Sequence, residues 1–212
     1  MLFKIKLLES DKQIGQNILK ALLPDVSNYL KDVIEYLKNN LPPVVREAIS
    51  NTPEYQSLLN GQLKYEFGIS DPSSKLASLL TVWSTNIKIN YSAPIISNSK
   101  IKASFSANMI KADFSDVLYT DYAAVYDTVR GYSLPWLEWL LLEGNRTIIK
   151  NQSVVLGPSK SSRTGFALMR DSSSSWRVPS EYSGTITDNW ITRAIDAAEN
   201  DINAVLERAL QV

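Results

Sequence analysis

Apolar residues recur at helical spacing through the first part of the chain. Ile14, Ile18 and Leu22 are four apart, and Val26, Tyr29, Leu30, Val33, Ile34 and Leu37 continue the stripe. The pattern predicts helices broken or kinked at Pro24-Asp25 and stopped at Pro42-Pro43. A short third helix through Val44, Val45, Ala48 and Ile49 would follow. Thr52-Pro53-Glu54 is a start signal: a capping hydroxyl, a proline at the first helical position and an acid facing the helix dipole. Gly61 is placed to end that turn in the left-handed conformation.

The period then drops from about 3.6 to about 2. Leu63, Tyr65, Phe67 and Ile69 alternate with Gln62, Lys64, Glu66 and Gly68, which predicts a half-buried strand. After a turn at Asp71-Pro72-Ser73-Ser74, Trp83, Thr85, Ile87, Ile89 and Tyr91 share one face of a second strand. Ile101, Ala103, Phe105, Ala107 and Met109 share one face of a third. One-sided alternation of this kind marks antiparallel pairing with a wet face, whereas buried parallel strands read as continuous apolar runs.

Beyond these strands, Tyr122, Val125, Tyr126 and Val129 predict a helix over residues 120–130 closed by Gly131. Ser133 and Pro135 open a second helix, Trp136–Leu142, closed by Gly144. Residues 147–156 and 166–170 read as strands joined by the polar loop 157–165. The serine-rich tract 171–175 has too little apolar content to be ordered on its own. A single long helix is predicted from Thr187 or Asp188 to Leu210, with Ile191, Ala194, Ile195, Ala198, Ile202, Val205, Leu206 and Ala209 as its core stripe. The fold class is α+β: an antiparallel sheet or small β-sandwich flanked by helices. It divides into an N-terminal helical region, residues 1–61, and an α+β core, residues 62–212, that ends in the long helix.

Composition removes most enzyme chemistry from this picture. The 212 residues include no cysteine and no histidine, so thiol nucleophiles, imidazole bases, Ser-His-Asp triads and ordinary transition-metal sites are excluded. Lys+Arg and Asp+Glu are balanced at 22 each, which lacks the positive field that general nucleic-acid binding requires. Cysteine absence fits an intracellular or assembly-bound protein. The start, Met1 to Ser10, alternates and then meets Asp11 and Lys12, so no signal core is expected. The most hydrophobic run, residues 134–142, is about half the roughly 20 residues of a membrane span and contains Glu138. It reads as a buried helix.

Candidate chemistry is accordingly narrow. Asp113 and Asp116, Asp121 and Asp127, and Glu138 and Glu143 are the acid pairs open to general acid–base work, which needs two carboxyls converging on one bond. Solvated faces, helix caps and interface ion pairs are the competing readings. The loop 157–165 lacks the Gly-Lys-Ser/Thr ending of a phosphate-binding loop; it reads as a flexible hairpin or as a loop that orders against a partner. Trp83, Trp136 and Trp190 lie on apolar stripes, but Trp176 lies in a polar extended segment beside Arg177. It is either an interface anchor or packed locally. No cofactor and no metal site are expected.

Three segments carry a family likeness. Leu59-Asn60-Gly61-Gln62-Leu63 leads into Lys64-Tyr65-Glu66-Phe67-Gly68-Ile69. Asp121-Tyr122-Ala123-Ala124-Val125-Tyr126 continues into Thr128-Val129-Arg130-Gly131, where a glycine-rich run would be usual. Trp176-Arg177-Val178-Pro179 precedes Asn189-Trp190-Ile191-Thr192-Arg193-Ala194-Ile195. Over residues 40–212 these segments resemble the head–tail joining, or neck and tail-completion, proteins of long-tailed bacteriophages. The resemblance implies a structural virion protein, not an enzyme, whose identical subunits form a ring in the neck. Implied partners are the portal or adaptor protein above and the tail terminator or tail tube protein below. DNA would pass through the lumen without sequence-specific binding, and no membrane would be involved. The implied location is the virion, and the host cytoplasm during assembly. Lys160, Arg163, Trp176 and Arg177, on the loops expected to order on assembly, are the candidate subunit-interface residues. The alternatives are a tail-terminator ring, a carboxylate-dependent hydrolase and a stand-alone binding module.

Overall fold

A computed structural model describes residues 8–108, 114–127 and 131–211. The N-terminal run 1–7, Met109, Asp113 and residues 128–130, all used in the sequence reading, lie outside the described residues. The fold is α+β, and among the described residues the strands form three separate two-stranded antiparallel ribbons. No helix among the described residues is long and apolar enough to cross a membrane.

The first helix, α1, spans Asp11–Ser50 and opens on a capping box. The Ser10 side chain accepts from the Gln13 backbone, and the Gln13 side chain accepts from the Ser10 N–H. Contrary to the sequence expectation, α1 is one helix of 40 residues with Pro24, Pro42 and Pro43 inside it. An interior proline costs about 3 kcal/mol relative to alanine. Here Leu30, Val33, Ile34, Leu37 and Leu41 precede the double proline, and Val45 and Ile49 follow it, all buried on one face. Full burial of each such side chain contributes about 1.5–3 kcal/mol, so the face as a whole outweighs the prolines.

Helix α2, Pro53–Asn60, starts as predicted, with Thr52 accepting from the Tyr55 N–H. Gly61 is not left-handed, with φ −110° and ψ −155°. Its smallness serves close approach instead, because a Cβ there would lie 2.8 Å from the Ser57 Cα. The predicted strand at residues 63–69 is instead a short helix, α3, Gln62–Glu66. Leu63 and Phe67 are four apart, a spacing that satisfies both periods, and Gln62 bonds Glu66 on the outer face. Asp71-Pro72 caps and opens α4, Pro72–Thr85, rather than making a simple turn. Leu76, Leu79, Leu80 and Trp83 form its buried face, so Trp83 and Thr85 belong to a helix and not to the second strand.

Strands β1, Lys88–Ser97, and β2, Lys100–Asn108, pair with Ser97 opposite Lys100 and Lys88 opposite Asn108. Asn98 and Ser99 both have positive φ, as a tight hairpin turn demands. The register shifts between Ser92 and Ile95, where Pro94 has no amide to give the ladder. Over the described residues 120–127 the predicted helix is not formed. Helix α5, Ser115–Leu118, and a 3₁₀ turn at Asp121–Ala123 lead into the pair β3, Val125–Asp127, and β4, Tyr132–Leu134. Lys75 Nζ donates to the carbonyls of Asp121 and Ala124 at 2.9 and 2.8 Å, which ties this turn to α4.

Helix α6, Trp136–Leu142, and the hairpin of β5, Gln152–Leu156, with β6, Ala167–Asp171, match the sequence reading. Gly144 follows α6 with φ +55°. The polar tract 171–175 is ordered by the Ser172 N–H donating to the Asn151 carbonyl and the Asn151 N–H donating to the Ser175 hydroxyl, and it leads to a bridge between Ile149 and Trp176. The predicted C-terminal helix is two: α7, Trp190–Ala197, and α8, Glu199–Ala209.

That division reflects two cores. In the first, Trp83, Trp136, Trp190 and Phe67 pack with Val45 and Ile49 of α1 and with Ile191 and Ala194 of α7. In the second, Val33, Leu37 and Leu41 of α1 meet Val205 and Ala209 of α8, with Ile89, Phe105 and Ala107 of the first ribbon against them. The region 1–61 thus packs into the region 62–212 along α1. Tyr29 Oη donates to the Leu210 carbonyl at 2.7 Å, fixing α1 to the end of α8.

Candidate functional site

The loop 157–165 folds back over α3. Gly68, at φ +67°, leaves room for the Arg163 guanidinium, whose Nε would be 3.4 Å from a Cβ at that position. The Arg163 Nη2 lies 3.9 Å from Asp127 Oδ2. Beneath the loop is a cleft of about 420 Å³, bordered by Tyr65, Glu66, Trp139, Trp176, Asp127 and Arg163. Trp176 is only 7 % exposed. Its indole donates to Glu66 Oε2 at 3.1 Å, and its ring packs against Phe67 and Trp139 at centroid distances of 5.8 and 5.9 Å.

Of the four candidate interface residues, then, Arg163 and Trp176 meet at one cleft, while Lys160 and Arg177 lie exposed outside it. Trp176 packs locally against its own chain's core, the second of the two readings the sequence left open. Glu66 was missed as a site residue. In the sequence it stood on the wet face of an apparent strand, and only the helical turn aims it at Trp176. Burial pushes its carboxyl above the ordinary range. Bonds from Gln62 and Trp176 oppose that push, and the charge of Glu181 adds to it.

The other carboxylates are dispersed. Glu54 is buried and bonds Arg193 at 2.6 Å, while Arg193 also bonds Asp188 at 2.8 Å. Asp116 accepts from Asn86 at 2.7 Å, and Glu143 pairs with Arg146 at 2.8 Å. Glu138 and Asp121 are exposed. A groove of about 740 Å³ between α1 and α7–α8 holds Glu47, Glu54, Arg193, Asp201 and Arg208 around an alanine-rich floor. Among the described residues no group of acidic side chains gathers closely enough to hold a metal ion.

Much apolar surface is left in water. None of residues 8–29 is buried, and Ile18 and Leu22 are 54 % and 46 % exposed. Tyr91 and Ile95 on β1 are likewise about half exposed. At 1.5 Å per residue α1 is about 60 Å long. A compact domain of this length has a radius of gyration of only about 17 Å, so the helix is longer than such a body is wide. The chain exposes 13306 Å², against ~9800 Å² for a compact monomer of 23.7 kDa. Compared with protein families, with curated proteins and with solved structures, the chain matches none of them.

Proposed function

We propose that this chain is a structural protomer of the neck of a tailed bacteriophage, one of several identical subunits in a ring between the portal or adaptor and the tail. The observation that supports this reading is the outer half of α1 and the adjoining ribbon, which keep apolar side chains in water. Large exposed apolar surface on a single chain marks an interaction face, and a head-to-tail contact between copies closes into a ring when its rotation permits. Function in this reading is mechanical. The protomer buries its outer helix and ribbon against neighbours, the polar loops fill the seams, and DNA passes through the opening.

Light scattering on the purified chain and imaging of particles test the proposal. A defined multiple of the monomer mass, seen as a ring at the head–tail joint, is the expected result. A strict monomer at high concentration, missing from particles, would overturn it. A ring that caps the tail tube from above, with another connector between it and the portal, would move the assignment to a tail terminator.

A further inference from the structure

We propose that the cleft under the β5–β6 loop is a binding site for an organic cation, a guanidinium or alkylammonium head of the kind that arginine and lysine side chains carry. The inference stands apart from the ring proposal and holds whether or not the chain assembles.

Three observations carry it. First, Glu66 is a half-buried carboxylate whose two hydrogen bonds come from neutral donors, Gln62 and the Trp176 indole. Among the described residues no basic group lies within ion-pair distance of it, and the charge that acts on it, Glu181, has the same sign. A partly desolvated charge without a counter-ion is unfavourable, and a cation bound there would relieve it. Second, the walls are aromatic. Tyr65, Trp139 and Trp176 line a space of about 420 Å³, within the roughly 300–1,000 Å³ typical of small-ligand pockets. Aromatic rings attract cations through their negative faces. Third, the rim already holds a guanidinium of the chain's own, Arg163, laid against Gly68 and 3.9 Å from Asp127. A guanidinium of the chain's own thus already sits at the edge of the same cleft.

The same lining disfavours other ligands. An anion would meet Glu66 and Asp127 with only Arg163, already beside Asp127, to offset them, an apolar molecule would bury the Glu66 charge further, and a hard metal ion needs several oxygens that the aromatic walls do not supply.

The test is a titration of the full chain with N-acetyl-arginine amide, followed by calorimetry and by tryptophan emission. N-acetyl-citrulline amide serves as the uncharged match. Saturable binding of the arginine probe with a change in emission, and none with citrulline, is expected. Glu66→Gln keeps an acceptor for the Trp176 indole and should weaken binding by about tenfold or more, since it removes a charged hydrogen-bond partner. Arg163→Ala should strengthen binding by vacating the rim. In the unmodified protein, affinity should fall as pH drops and Glu66 takes up a proton. This last arm needs no variant to fold. Equal binding of the two probes, no binding of either, or binding indifferent to Glu66→Gln with unchanged circular dichroism would each overturn the proposal. The source of the cation is read separately. If a second copy supplies it, Glu66→Gln also lowers the mass seen by light scattering. If a foreign basic segment does, the mass is unchanged while the arginine probe still loses affinity.

Discussion

At the scale of single residues, Thr52 does more than its position in a capping signal suggests. Its hydroxyl accepts from the Tyr55 N–H at the start of α2 and from the Trp190 indole at 2.6 Å, and it donates to the Ile49 carbonyl at the end of α1. One oxygen therefore joins three helices. Thr52→Val keeps the shape, removes the cap and strands a buried indole N–H. A loss of about 3 kcal/mol is expected in urea unfolding. Glu66 sets a second expectation, about pH. Its carboxyl is raised above the ordinary 4.5, chiefly by burial, so over the interval above 4.5 the folded chain retains a proton that the unfolded chain has released. Stability then falls as pH rises from 4.5 through the raised folded value. Glu66→Gln should flatten that slope when unfolding midpoints are measured across the interval. An unchanged slope would place the effect elsewhere.

Among the elements, α1 is where local rules and tertiary packing disagree most. Pro42 and Pro43 have no amides, so the helical bonds to the Lys38 and Asn39 carbonyls cannot form. Pro43 is exposed and makes no part of either core. Pro43→Ala should therefore raise the unfolding free energy by about 1–3 kcal/mol, with no change in the far-ultraviolet spectrum beyond added helicity. The same conflict explains what the sequence made legible. The cap at Thr52, the α6 helix between Pro135 and Gly144, and the β5–β6 hairpin with its polar loop could be read, because each rests on chemistry within a few residues. The α3 turn could not, since Leu63 and Phe67 fit either period. Nor could the 120–127 segment, whose course is fixed by Lys75, some forty-five residues earlier in the chain. The break between α7 and α8 was hidden because one apolar stripe runs through both, although each half faces a different core. For the cleft, loop 157–165 and Trp176 were visible as polar and aromatic exceptions. Glu66 was not, because its burial arises only once Trp176 folds back over 110 positions.

For the molecule as a whole, surface is the informative quantity. Ile18 and Leu22 lie on the outer half of α1, away from both buried clusters. Ile18→Asp with Leu22→Asp should therefore change the unfolding midpoint of the isolated chain little, within about 0.5 kcal/mol per site. The same pair should sharply reduce self-association measured by light scattering. Retained assembly in this variant would shift the contact to the β1–β2 ribbon, whose Tyr91 and Ile95 provide the next test. The unbroken course of α1 carries a mechanical meaning too. A load taken up at its outer end travels down a single rod into the tryptophan cluster without crossing a loop. The points that withhold their amides along that path, Pro24 first and then the Pro42–Pro43 pair, are where the rod is weakest.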